Sequence, residues 1–186
     1  MKVKLNPMFE EVSGQLGDLV FRELRGQTFA GRKPSVTGEP TVEQVAQRER
    51  FRQAAVYGKS AMANPTIRAQ YEEVAKTKNM PVFAATVADF LNAPTIENVN
   101  LAAYTGQIGS TITVLASDDF GVAGVHVSIA DDVDVIENGS AVETPAGSGL
   151  WVYTATAAIA ATEVSVNVVA IDRPGGTAVS TTRKLV

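Results

Sequence analysis

The run S-D-D-F-G-V-A-G-V-H-V-S-I at residues 117–129 gathers many of the side chains in this sequence that could do chemistry. Asp119-Phe120-Gly121 spells the metal-binding tripeptide of protein kinases, and the single histidine, His126, follows shortly after. Kinase chemistry also needs a glycine-rich phosphate loop, an ion-paired lysine and a catalytic loop upstream, and the sequence has none of them. His126 alternates with Val125, Val127 and Ile129, so on a strand it shares the opposite face with Gly124 and Ser128 and looks to solvent. A base placed there would need a nucleophile and an orienting acid within reach, and no motif supplies either. The tripeptide is therefore read as a turn between two strands capped by Asp side chains, and no catalytic residue is assigned.

Carboxylates offer a second chemistry. In an antiparallel sandwich the turn after the second strand and the turn after the sixth emerge at the same end, which would bring Asp118, Asp119 and Asp172 together as candidate calcium ligands. Calcium takes roughly 6–8 hard oxygen ligands from such loops. The competing explanation is a salt bridge from Arg173, and no other cofactor is expected. Asp131, Asp132 and Asp134 form a second acidic cluster, expected at the opposite end as a solvated turn. Adjacent acids such as Asp118 and Asp119 seldom flank one glycosidic bond, so an enzyme is the least favoured class. Trp151 and Tyr153 alternate on one strand. Facing inward they are core; facing outward they could stack on a sugar ring, and the inward placement is expected for the only tryptophan.

Composition removes further chemistries. The sequence has 186 residues, no cysteine and one histidine, which excludes disulfides, thiolate metal sites, a Cys nucleophile and a His-rich zinc site. Its 45% apolar and 19% charged residues are a globular balance with enough material for a core. Charge is uneven: residues 1–95 carry 13 Lys+Arg against 10 Asp+Glu, whereas residues 96–186 carry 3 against 10. An acidic half of this kind does not displace counterions from phosphates, so it is not expected to bind nucleic acid. Residues 1–7 lack the apolar run of a signal peptide, and nowhere do about 18 apolar residues run together. The expectation is a product made in the cytoplasm, with no membrane insertion.

The elements that position these residues follow from periodicity. Residues 14–34 hold two short β-prone runs around Arg25-Gly26 and read as a hairpin. Leu19, Phe21 and Phe29 are its candidate partner-binding residues, because an isolated hairpin is marginal in water and must pack on something. After a Pro- and Gly-containing linker, Thr41-x-x-Gln44 has the form of a capping box. The helix it opens carries Phe51, Ala54, Ala55, Gly58, Ala61 and Met62 on one narrow apolar stripe. Asn64-Pro65 starts a second helix and Pro81 a third, which Ala93-Pro94 stops. From residue 96 the pattern changes to β-branched alternation, with strands near 96–104, 111–117, 122–130, 133–137, 141–143, 151–157, 164–171 and 178–185. The expected fold is α+β multidomain. It comprises an N-terminal arm with a β-hairpin (1–40), a three-helix module (41–94) and an all-β immunoglobulin-like sandwich (95–186).

Three stretches carry a resemblance: T-I-T-V-L-A-S-D-D-F-G-V-A-G-V-H-V-S-I, G-L-W-V-Y-T-A-T-A and V-S-V-N-V-V-A-I-D-R-P-G-G. They resemble bacterial and phage Ig-like domains of the Big type, which recur in surface proteins and on phage structural proteins. In those domains an Asn commonly follows the Gly of the turn after the sixth strand; this sequence has Gly176 there. The N-terminal half is similar to phage or prophage structural proteins in its glycine-rich hairpin, its Arg32-Lys33-Pro34 step and its P-T-x-x-Q helix start. The resemblance implies a non-enzymatic structural or assembly protein, a virion component for capsid decoration, tail or fibre, released by lysis. Its partners would be copies of itself or a capsid or tail protein. The alternative is a surface module that binds a polysaccharide or cell-envelope partner through loops or Tyr153.

Overall fold

The computed structural model describes residues 13–24, 27–34, 38–131 and 134–186. Arg25 and Gly26, where a turn is expected, linker residues 35–37, and Asp132 and Val133 lie outside the described residues, as do residues 1–12. The chain forms two compact units, Met1–Val42 and Glu43–Val186. The sequence-based segments 41–94 and 95–186 both fall almost wholly within the second. Among the described residues there are three helices and three antiparallel sheets of eleven strands, an α+β protein with substantial β content.

The first unit is a three-stranded sheet in the order β1 (Gly14–Leu16), β2 (Leu19–Leu24) and β3 (Gln27–Arg32), not the two-stranded hairpin expected. The extra strand is three residues long and exposed throughout, too short for any alternation to announce it. Gly17, at φ +59°, makes the tight turn into β2 that a residue with a Cβ would enter only under strain. Cross-strand pairing puts Leu16 opposite Leu19 and Phe21 opposite Ala30, while Phe29 lies opposite Arg22. Leu19 and Phe21 therefore share one face and Phe29 occupies the other. The three candidate partner-binding residues do not form a single patch, because the side-chain period of a strand is two. Thr28 is the one buried residue among the described residues of this sheet.

In the second unit, α1 (Val42–Ala63) is far longer than α2 (Pro65–Thr77) and α3 (Val82–Leu91). At 1.5 Å per residue, helices this short cover only part of it. Ala54, Gly58 and Ala61 are buried, whereas every residue from Val42 to Gln53 is exposed. Phe51, expected on the buried stripe, is 55% exposed, because it lies one turn before the covered half begins. Close approach occurs where the small residues predicted it: a Cβ on Gly58 would lie 2.7 Å from Thr86 Oγ1 and 2.9 Å from the Phe83 ring. Asn64 caps α2, its side-chain oxygen accepting from the backbone N–H groups of Thr66 and Ile67.

The remaining strands are β4 (Thr95–Asn100), β5 (Thr111–Ser117), β6 (Val122–Ala130), β7 (Val135–Ser140), β8 (Val142–Glu143), β9 (Leu150–Thr154), β10 (Glu163–Asp172) and β11 (Thr177–Leu185). They form two four-stranded sheets, ordered β4-β5-β9-β8 and β11-β10-β6-β7. One core joins their inner faces: Ile112, Val114, Trp151 and Tyr153 from the first meet Val125, Val127, Ile129, Val166 and Val168 from the second. Trp151 and Tyr153 both point inward, which removes Tyr153 as a stacking platform for a sugar. Burying its ring contributes more there than solvent exposure could. His126 is on the outer face as alternation predicts, with its Nδ1 3.1 Å from Ser140 Oγ.

Candidate carboxylate site between helices and sheets

The β5–β6 connection carries the Asp119-Phe120-Gly121 tripeptide. Asp118 Oδ1 accepts the Phe120 N–H at 2.7 Å, closing an Asx turn, and Gly121 takes φ +103°, which explains the glycine. Phe120 is 7% exposed and leaves the sheets altogether. It inserts into the helical core beside Ala61, Ala75 and Ala85, tilted against Tyr71 at 6.3 Å between ring centroids. The tripeptide is thus a plug that docks the end of one sheet onto the helices.

Asp172 reaches the same place from β10. Val164, Val166, Val168 and Ala170 alternate inward along this strand, and Asp172 continues their register at its last residue. A bulge between Ile171 and Asp172 sets its carboxylate at the strand end, opposite Val122. Oδ1 accepts the Gly176 N–H. The carboxylate folds so closely over Gly176 that a Cβ there would run into Oδ2 unless the carboxylate moved, which accounts for a glycine at this position.

The third member comes from a helix. Asp89 lies on α3, fully buried, and accepts a hydrogen bond from Tyr71 Oη, which in turn lies 2.8 Å from Tyr57 Oη. One carboxylate oxygen from each of Asp89, Asp118 and Asp172 lies within 4.8 Å of the others. Of the three candidates read from sequence, Asp118 and Asp172 therefore converge and Asp119 does not. Asp119 turns outward to pair with Lys78 at 2.9 Å, and Asn92 Nδ2 lies 3.4 Å from its other oxygen. Adjacent residues of a tight turn point in different directions, and Lys78, at the end of α2, offers a cation on that side. The competing salt bridge from Arg173 is not formed among the described residues; its guanidinium lies over the Tyr71 ring at 5.1 Å. Asp131 Oδ1 accepts the Asp134 N–H at 2.8 Å.

Three carboxylates this close are electrostatically expensive. At 4.8 Å each fully ionised pair repels by about 3 kcal/mol at an effective dielectric near 20. Burial pushes the Asp89 carboxyl up to about 6; the Tyr71 hydrogen bond pulls it back, while the charges of Asp118 and Asp172 add to the rise. Burial also raises Asp172, against the pull of the Gly176 N–H. Asp89 Oδ1 and Asp172 Oδ2 are buried without a hydrogen-bond partner. Chemically, the arrangement can hold a proton or a cation.

Sequence reasoning passed over Asp89, although a lone acid in the apolar run V-F-A-A-T-V-A-D-F-L, on the side of α3 that also buries Ala85 and Thr86, was a visible anomaly. It also passed over Glu137. This carboxylate is 6% exposed, and its Oε1 accepts from Tyr153 Oη at 2.6 Å and from the Thr156 N–H at 2.5 Å.

No family model matches the chain, and no curated protein matches it. Among solved structures, a crystal structure of an engineered protein is similar at 16% sequence identity and a TM-score of 0.40, over 56% of this chain and 26% of that one. The chain thus spans about a quarter of that protein's length, and a likeness of this size carries no argument. The class on which the description rests is the α+β architecture itself. Among the described residues, no helix is long and apolar enough to cross a membrane.

Proposed function

We propose that this is a non-enzymatic structural protein that assembles through its first unit, with copies of itself or with a capsid or tail protein, and displays an immunoglobulin-like domain. The observation that carries the assembly reading is the face of the small sheet formed by Leu16, Leu19 and Phe21. Leu16 is 72% exposed and Leu19 43% exposed, on a sheet whose described residues include one buried side chain. The described residues of these three strands bury little apolar surface of their own, so covering that face would stabilise them. Among the described residues β1 is an edge strand of this sheet, and such an edge suits pairing with a strand from a neighbour. Along α1, Val42, Val45, Phe51 and Val56 are also more than half exposed, a further apolar surface for packing.

The immunoglobulin-like reading is supported by strand order. Lettering β4, β5, β6, β7, β8, β9, β10 and β11 as A, B, C, C′, D, E, F and G turns the two sheets into A-B-E-D and G-F-C-C′. A virus particle is the setting suggested by the sequence resemblance. The test is removal of residues 1–40. The remaining chain is expected to fold, with Trp151 still shielded, and to sediment as a monomer while the full chain forms larger species. A truncated chain that assembles like the full one refutes the division of labour.

A further inference from the structure

We propose that Asp89, Asp118 and Asp172 bind one divalent cation of the calcium class, which ties α3 to the ends of β5 and β10. A cation with ligands at about 2.4 Å spans oxygens up to about 4.8 Å apart, and the three carboxylates offer oxygens within that limit. All donors are hard oxygens, which suits calcium or magnesium and not a soft metal. The flexible, irregular geometry of three carboxylates from a helix, a loop and a strand end fits calcium better than the strict octahedron that magnesium requires.

A second observation separates this cluster from an ordinary acidic turn. Asp89 is fully buried and Asp172 is 3% exposed, yet Asp89 Oδ1 and Asp172 Oδ2 have no hydrogen-bond partner. Buried carboxylate oxygens are costly unless paired or bound to a metal. Arg173, whose charge acts on Asp89, lies over the Tyr71 ring with its buried Nη1 also lacking a hydrogen-bond partner, and no ion pair within 4.0 Å joins it to any of the three acids among the described residues. Asp118 is half-buried and borders a cleft with Asn92, Thr95 and Ser117, so the site has access from solvent. This inference does not depend on the assembly reading. A cation here holds helices and sheets together within the second unit, whatever the first unit binds.

The test uses the full chain, stripped with EDTA and titrated with calcium chloride, by calorimetry and thermal melting. Binding of one ion per chain is expected, with a rise in melting temperature of about 5–10 °C at roughly hundredfold excess over Kd. Terbium should bind competitively with calcium and show luminescence sensitised by tyrosine excitation, because Tyr71 donates to Asp89. Asp118→Asn, at the most accessible ligand, is expected to lose at least tenfold in affinity while remaining folded. Asp119→Asn, outside the cluster, should bind within about twofold of the parent. No heat and no melting shift in the parent would overturn the proposal. So would an Asp118→Asn chain that responds like the parent, an equal loss in both variants, or a response to magnesium chloride but not to calcium chloride.

Discussion

Removing the carboxylate of Glu137 tests how the two facing sheets are closed at one edge. Its Oε1 accepts three hydrogen bonds, from Tyr153 Oη at 2.6 Å, the Thr156 N–H at 2.5 Å and Thr156 Oγ1 at 2.8 Å, and Oε2 accepts a fourth from the Ala157 N–H at 3.3 Å. Glu137→Ala leaves the buried Tyr153 hydroxyl without an acceptor, at about 1–3 kcal/mol. Thr156 and Ala157 reach water more readily, so their lost bonds add about 1 kcal/mol each. The expected destabilisation is about 3–5 kcal/mol, read by urea denaturation at pH 7 with the fluorescence of buried Trp151 as the probe. Adding Tyr153→Phe removes the orphaned hydroxyl and should recover about 1 kcal/mol or more, a coupling that independent sites would not show. Burial pushes this carboxyl up, but the hydrogen bonds from Tyr153, Thr156 and Ala157 outweigh burial and hold it below its ordinary value of 4.5. The stability it contributes is therefore present above pH 4.5 and lost as pH falls through the depressed native value. Glu137→Gln keeps an acceptor for Tyr153 and Thr156, costs about 1–2 kcal/mol, and should flatten this acid limb. A Glu137→Ala chain within about 0.5 kcal/mol of the parent refutes the reasoning, since no buried bracket could then exist.

Two further perturbations address the helices. Asp89 is pushed up to about 6 in the folded chain, so the metal-free protein binds a proton there that the unfolded chain releases. Stability should rise as pH is lowered from 7.5 through about 6, and Asp89→Asn should remove this slope while raising stability in EDTA at pH 7 by up to about 3 kcal/mol. A flat profile in the parent between pH 7.5 and 5, or an Asp89→Asn chain less stable in EDTA, counts against the repulsive cluster. Gly58→Ala forces a Cβ to within 2.7 Å of Thr86 Oγ1 and 2.9 Å of the Phe83 ring, and is expected to cost about 1–3 kcal/mol by thermal melting despite alanine's higher helix propensity. Unchanged melting would mean that α1 and α3 do not approach as described.

Local periodicity carried much of the architecture. Strands β5 and β6 begin and end at the expected residues because alternation of Ile112, Val114 and Ala116, and of Val125, Val127 and Ile129, is strict. The cap at Asn64 was legible for a similar reason, since its chemistry is contained within a few residues. Long-range pairing was not. The convergence of Asp118 with Asp172 could be reasoned from strand order, but Asp89 enters from a helix whose docking depends on Phe120, and no local pattern says that a turn residue will leave its sheet. Glu137 looked like a charge on a strand because its four donors are contributed by residues at least 16 positions away. Phe21 and Phe29 appeared equivalent on the sequence, and only the register of β2 with β3 assigns them to opposite faces.

The claim that the first unit drives assembly is tested most directly by placing charge on its apolar face. Leu16→Lys combined with Leu19→Lys changes two side chains that are already exposed, so it alters the surface and leaves the core of the second unit intact. Sedimentation velocity of the parent and the variant, side by side, is the measurement. Large, concentration-dependent species are expected for the parent and a monomer for the variant, with the Trp151 emission and melting temperature of the second unit unchanged. A parent that sediments as a monomer at every concentration, or a variant that assembles as the parent does, would contradict that claim.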